Sequence, residues 1–142
     1  MSATSVQFTV AAHLMAALGF RHGEEIPSAV LAESVNADAT FVRKSLSKLS
    51  QAGLIVTTRG KNGASRLARP PKQITLLDVY RASAAPATFA IHSYPVTKRC
   101  PISCSIKECM ESVLKKAQDS FERALAKITV ADLVREIREK GH

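Results

Sequence analysis

The sequence predicts a mainly α fold carrying one small β-hairpin, and three observations predict it. Apolar residues recur every three or four positions over 6–18, 39–52 and 101–127, the spacing of helices that each bury one face. Gly60-Lys61-Asn62-Gly63 is a turn signal between two short segments able to form strands. Charge is concentrated as well: Arg43, Lys44, Lys48, Arg59, Lys61, Arg66, Arg69 and Lys72 face one acid, Asp38, so +7 of the formal net +8 lies between Asn36 and Lys72.

In chain order, Val6, Val10, Leu14 and Leu18, with Ala11 and Met15 beside them, define a first helix that the Gly19 to Gly23 stretch ends. Pro27 and Ser28 open a short second helix, with Ser28 as N-cap and Val30, Leu31 and Val35 as apolar positions. Asn36-Ala37-Asp38 reads as a turn. A third helix runs from about Ala39 to Ala52, turning Val42, Leu46 and Leu49 inward and stopping at Gly53. Its other face carries Thr40, Phe41, Arg43, Lys44, Ser47 and Lys48. Leu54 to Thr58 and Ser65 to Arg69 flank the turn signal, which places a wing after a helix-turn-helix. Pro70-Pro71 ends the second strand, and Thr75 to Asp78 resembles a capping box opening a helix through about Ala82.

Residues 84–99, with Pro86 and Pro95, read as a loop. From Pro101 to Lys127 the stripe Ile102, Ile106, Cys109/Met110, Val113/Leu114, Ala117, Phe121, Leu125 makes one long amphipathic helix. At 1.5 Å per residue it extends roughly 40 Å, beyond the reach of a small winged domain. Burying such a stripe against a symmetry mate predicts a homodimer. Thr129 to Asp132 restarts a terminal helix with Leu133, Val134 and Ile137 on its apolar side. The fold class is therefore a winged helix-turn-helix domain over 1–83. Residues 84–142 supply a loop, a sensor segment and long C-terminal dimerisation helices.

Apolar residues at 46% and charged residues at 23% suit one ordered globular domain. No apolar run approaches the roughly 20 residues of a membrane span, and no leader signature opens the chain, so the expectation is a cytoplasmic protein without membrane contact. With 5% aromatics and no Trp, a base-stacking RNA platform is disfavoured. There is no Gly-rich phosphate loop, no evident Ser/His/Asp arrangement and no C-x-x-C beside a βαβ pattern, so the chain does not read as an enzyme. A small thiol oxidoreductase using Cys100 and Cys104, or a winged adaptor that binds protein, are the alternative classes.

Charge sign alone fits a solvated face as well as a binding face. Combined with helix, turn, helix and hairpin it points to double-stranded DNA. A helix at 39–52 fits the major groove, where Thr40, Phe41, Arg43 and Lys44 near its start reach base edges. Arg43 suits a bidentate guanine contact, Phe41 a thymine methyl, and Lys44 and Lys48 the phosphates. Arg59 and Lys61 at the hairpin tip suit a narrow minor groove. A dimer reads a promoter pseudo-palindrome whose half-sites lie roughly 34 Å apart.

The stretch LAESVNADATFVRKSLSKLSQAGLIVTTRGKNGASRLARPPKQITLLDVYRA resembles the winged-helix segment of the Rrf-two family of bacterial transcription regulators. The resemblance rests on the recognition-helix frame, the RG-x-x-G wing, the LARPP step and the ITLLDVYRA helix, and extends over nearly the whole chain. The wing residues Asn62 to Ser65, and an H-x-x-P followed by Cys100-Pro101-Ile102, are most similar to the YwnA-type branch. The resemblance implies a DNA-binding regulator, read here as a repressor. It matches Thr40, Phe41, Arg43 and Lys44 to the base-reading positions and Arg59 to a minor-groove arginine. It also implies a dimer through the long helix.

Cys100, Cys104 and Cys109 are the redox-sensing candidates. The cluster-binding relatives IscR and NsrR imply an iron-sulfur cluster on three cysteines in this region. Here the gaps are shorter and less even, Gln7 occupies a position where one branch supplies a carboxylate, and on a continuous helix Cys104 and Cys109 point roughly 140° apart. The expectation is no cofactor and no metal site, with an iron-sulfur cluster-binding regulator as the alternative that the cysteine spacing disfavours; a Cys₃His zinc site with His92 has no common zinc spacing. Pro101 as first helical residue places Cys100 near an N-cap, where the helix dipole, Lys98 and Arg99 favour the reactive thiolate. The reading is a thiol sensor at Cys100 with Cys104 as resolving partner. Cys104 and Cys109 as small buried residues are its alternative.

Overall fold

The computed structural model describes residues 5–58 and 63–141. In order it contains α1 (Gln7–Phe20), β1 (Ile26–Pro27), α2 (Ser28–Val35), α3 (Ala39–Gln51), β2 (Ile55–Thr57), β3 (Ala64–Leu67), a 3₁₀ turn (Pro71–Gln73), α4 (Leu76–Ala82), α5 (Pro101–Ala126) and α6 (Val130–Glu139). The expected fold class holds: a mainly α chain with a winged helix-turn-helix and a long C-terminal helix. Two compact units form, one from residues up to Ala85 together with those from Leu125 onward, the other from Pro86–Ala124.

In the first unit α1 is apolar on most of its circumference, a pattern that belongs to a buried helix. Ala11, Leu14, Met15 and Leu18 are sealed from solvent, packed with Leu31 of α2, Val42 and Leu49 of α3, and Val79 of α4. Val6 is the exposed N-cap residue, and α1 begins one residue after it. The helix ends at Phe20, inside the Gly19 to Gly23 stretch as expected, and Gly19 also has a packing role. A Cβ at Gly19 would stand 3.0 Å from Val130 Cγ1 and 3.1 Å from Val134 Cγ2, so the missing side chain lets α6 approach α1. The terminal helix, grouped by sequence with 84–142, thus belongs to the unit built on α1.

The sheet has three antiparallel strands in the order β1-β3-β2. Ile55 pairs with Leu67 and Thr57 with Ser65, as the hairpin signal requires. Strand β1 is an addition that the sequence did not announce, because two residues are too few to show alternation. It pairs Ile26 with Ser65, and both are fully buried. Pro27, lacking a donor, takes the N-cap place of α2, and Ser28 is the first helical residue with no side-chain cap. The Ser28 amide instead donates to the Gly63 carbonyl at 3.1 Å, which ties α2 to the hairpin.

Two Thr-x-x-Asp capping boxes open α4 and α6. Thr75 Oγ1 accepts from the Asp78 amide, and Asp78 accepts from the Thr75 amide; Thr129 and Asp132 repeat the arrangement. An antiparallel bridge between Thr75 and Thr129 joins them, through Leu76 N–H to Ile128 O at 2.8 Å and Val130 N–H to Ile74 O at 2.9 Å. At the other end of α6, the Arg138 guanidinium lies 4.0 Å over the Phe20 ring and donates to the Phe20 carbonyl. Val130 and Val134 are buried, whereas Leu133 is half-buried and Ile137 exposed.

The Thr129 amide, and then Arg135, stabilise the ionised Asp132 carboxylate and hold it below the ordinary value of 3.8. Its capping contribution is therefore present above pH 3.8 and is lost as pH falls through the depressed folded value. Thermal melts from pH 6 to pH 2 should show Asp132→Asn losing less stability across this range than the parent. Parallel slopes for the two proteins would contradict that origin.

Candidate nucleic-acid interface

Asn36 adopts the left-handed conformation at φ 59° and closes α2, its amide reaching the Ala32 carbonyl at 2.8 Å. Asp38 then caps α3, its carboxylate accepting from the Thr40 amide. Together they fix the angle between the two helices of the helix-turn-helix. The inward side of α3 is Val42, Leu46 and Leu49, as expected, with Ser45 buried beside them.

At 100° per residue, Thr40, Arg43, Lys44 and Ser47 fall within a 100° arc on the opposite side. All four are exposed. Phe41 and Lys48 lie at the edge of this arc and are half-buried. Arg43 Nη2 donates to Thr40 Oγ1 at 3.5 Å, which aligns the guanidinium along the helix. Between α3 and the hairpin runs a groove of about 460 Å³, bordered by Arg43, Ser47 and Gln51 on one side and Ser28, Thr57 and Ser65 on the other. Gln51 was not among the sequence candidates, although its spacing of four from Ser47 and eight from Arg43 marks the same face. Ser28 entered the sequence argument only as a cap; its place on this groove follows from the sheet.

Arg59 and Lys61 lie outside the described residues. Arg66 is exposed, but Arg69 is engaged within the fold, pairing with Asp78 at 3.5 Å and donating to the Gln73 carbonyl. One charge of the basic run therefore fastens β3 to the α4 capping box.

The second unit lays the loop before α5 along one side of that helix. Thr88 donates to Gln118 Oε1 from its amide at 3.1 Å and its hydroxyl at 2.8 Å, and Lys107 Nζ reaches the Tyr94 carbonyl at 2.6 Å. The expected single stripe is in fact two. Leu114 and Phe121 line a slot of about 310 Å³ with the loop residues Phe89 and Ile91, whereas Ile102 and Val113 stand 71% and 54% exposed and share a different face with Cys109.

Cys100 sits at the start of α5 and caps it: its Sγ accepts from the Ser103 amide at 3.4 Å, and its carbonyl accepts from the Cys104 amide. Cys104 Sγ donates to the Lys98 carbonyl at 3.5 Å. All three cysteines are free thiols, Cys104 and Cys109 exposed and Cys100 half-buried, so neither Cys104 nor Cys109 is a core residue. Since α5 is continuous from Pro101, Cys104 and Cys109 project about 140° apart. Among the described residues no three His, Cys, Asp or Glu side chains converge as a metal site, and the ring of His92 lies against Tyr94. Within one continuous helix, Cys104 and Cys109 therefore do not share a face.

A helix-turn-helix with a basic outward face, followed by a hairpin, defines the winged helix-turn-helix class of regulators. The Rrf2 family, described as an iron-dependent transcriptional regulator, matches residues 4–136, and the chain belongs to this family of transcriptional regulators. It is 31% identical over 129 residues to YwnA of Bacillus subtilis (strain 168), named as an HTH-type transcriptional regulator, covering 90% of this chain and 94% of YwnA. A transcriptional-regulator structure from Lactobacillus plantarum is similar with TM-score 0.80 at 26% identity, covering 96% of this chain and 92% of that one. T. potens IscR shares the fold with TM-score 0.72 at 22% identity, covering 99% and 91%.

Asn36 holds a backbone conformation costing a β-branched residue roughly 1–2 kcal/mol. Asn36→Val should therefore lower the unfolding free energy by about that amount while Asn36→Gly stays within about 0.5 kcal/mol of the parent, measured by urea denaturation. Equal stabilities would show that the left-handed conformation at Asn36 carries no such cost.

Proposed function

We propose that the chain is a homodimeric DNA-binding repressor that occupies a promoter pseudo-palindrome and releases it on thiol oxidation at Cys100. The observation that carries the DNA reading is the exposed Thr40, Arg43, Lys44, Ser47 arc of α3 beside the serine- and threonine-lined groove of the hairpin. An α-helix fills the major groove, Arg43 reads base edges, Lys44 and Lys48 neutralise phosphates, and hydroxyls along the groove contact the sugar-phosphate backbone. The exposed Ile102 and Val113 face of α5 supports a partner copy, since a stripe of this kind gains stability only when covered. Two subunits then span half-sites roughly 34 Å apart.

The cap position of Cys100 supports the sensor reading. The Cys100 thiolate attacks the O–O bond of a peroxide, forming the sulfenic acid and releasing the other oxygen as water or alcohol after protonation. The Cys104 thiol then attacks that sulfur, expelling water and closing a disulfide; the peroxide has taken two electrons in all. Residues four apart on a helix have Cβ atoms about 5–6 Å apart, whereas a disulfide holds them at about 3.5–4.5 Å. Closing the bond therefore requires the first turn of α5 to rearrange and costs it the Ser103 cap, which converts oxidation into a movement of the segment.

Binding to a labelled promoter fragment tests the DNA reading. Arg43→Ala should lose about tenfold or more in affinity and relax preference at one base pair, whereas Lys44→Ala should weaken all sequences alike and reduce the salt slope by about one. A double variant binding as the parent does would overturn it. For the sensor, peroxide should release DNA from the parent but not from Cys100→Ser, with a disulfide between Cys100 and Cys104 detected by mass spectrometry. Release of the Cys100→Ser protein by peroxide would exclude that cysteine.

A further inference from the structure

A second concavity of the first unit is bordered by α1, α2 and α6 and by none of the α3 or hairpin residues. Its volume is about 550 Å³, within the range of small-molecule sites. Its α1 wall is low because Ala12, Ala16 and Ala17 stand where longer aliphatic side chains would fill the space. Around them rise Phe20, Val30 and Ile137. Val30 and Ile137 mark the inward sides of their helices by sequence spacing, yet they are 41% and 45% exposed here. They border an open groove instead of closing a core.

The polar groups are few. His13 Nε2 lies 2.9 Å from Ser34 Oγ, joining α1 to α2 at one edge. Arg21 is the remaining polar lining residue; its Nε donates to Glu24 at 2.7 Å, leaving the rest of a five-donor fork facing outward from that bond. No acidic side chain lines the groove. An apolar wall with an imidazole, a hydroxyl and a guanidinium at its rim suits a ligand that is apolar at one end and a hydrogen-bond acceptor with negative charge at the other.

We propose that this groove binds a small carboxylic acid carrying an apolar ring. The ring lies over Ala12, Ala16 and Ala17 between Val30 and Ile137, and the carboxylate takes the Arg21 fork in competition with Glu24. The site is independent of the DNA reading. It bears on that function only through α2, the helix that shares both the groove and the turn leading to α3.

Phenylacetate and phenethylamine serve as matched anionic and cationic probes in amide NMR titrations of the full chain. Phenylacetate should produce saturable shifts confined to residues 12–21, 30–34 and 133–137, with affinity about tenfold or more above that of phenethylamine. Ala17→Phe, which fills the groove, should weaken phenylacetate about tenfold or more. Arg21→Gln should weaken phenylacetate about tenfold or more while phenethylamine binds at least as well as to the parent, because Glu24 is freed, so the proposal remains testable even if Ala17→Phe fails to fold. Shifts that do not saturate, shifts confined to α5, or unchanged phenylacetate binding in Arg21→Gln would overturn it. So would broadening of these same residues with protein concentration in the absence of probe, which would assign the groove to a second copy of the chain.

Discussion

Burial of α1 is the constraint on which the first unit depends. A helix reading QFTVAAHLMAALGF has too little polar surface to face water on any broad side, so its neighbours must cover it. Leu14, Met15 and Leu18 take the core formed with α2, α3 and α4, and Gly19 admits the valines of α6 on another side. Deletion of one side chain at Gly19 thus lets a segment more than a hundred residues later complete the domain. The bridge between Thr75 and Thr129 fixes the direction from which α6 arrives, because both capping boxes start from it.

This arrangement leaves α3 with one task for each side. Val42, Leu46 and Leu49 anchor it, Phe41 lies half-buried at the edge, and the outward arc is left to hydroxyls and cations. Anchoring holds the arc at a defined angle beside the hairpin. The basic run is not uniform in purpose. Arg43 and Lys44 point outward, whereas Arg69 closes against Asp78 and serves the fold.

The second unit is organised around the two faces of α5. One is satisfied internally by the loop that carries Thr88 and Phe89, and the other keeps Ile102, Cys109 and Val113 open. The cysteines divide between the faces in the same way: Cys100 and Cys104 belong to the cap and the turn before it, and Cys109 lies with the open apolar stripe. Three thiols within ten residues therefore lie in two places.

Much of the fold was legible because it is local. Helical spacing located α1, α3, α5 and α6, the Thr75/Asp78 pair announced a cap, and Gly60-Lys61-Asn62-Gly63 announced the hairpin, since each signal needs only neighbours in sequence. Residues Thr40, Arg43 and Lys44 were likewise placed by periodicity alone, as were the diverging directions of Cys104 and Cys109. What periodicity could not decide was which apolar faces meet. Ile26 became a strand because Ser65 lay beside it, Gly19 became a packing surface because α6 returned to it, and one expected stripe on α5 became two because the loop could cover only one side. Those outcomes are set by contacts between residues far apart in the chain. The sequence carries the chemistry of each side chain, and only the tertiary structure decides which of them share a surface.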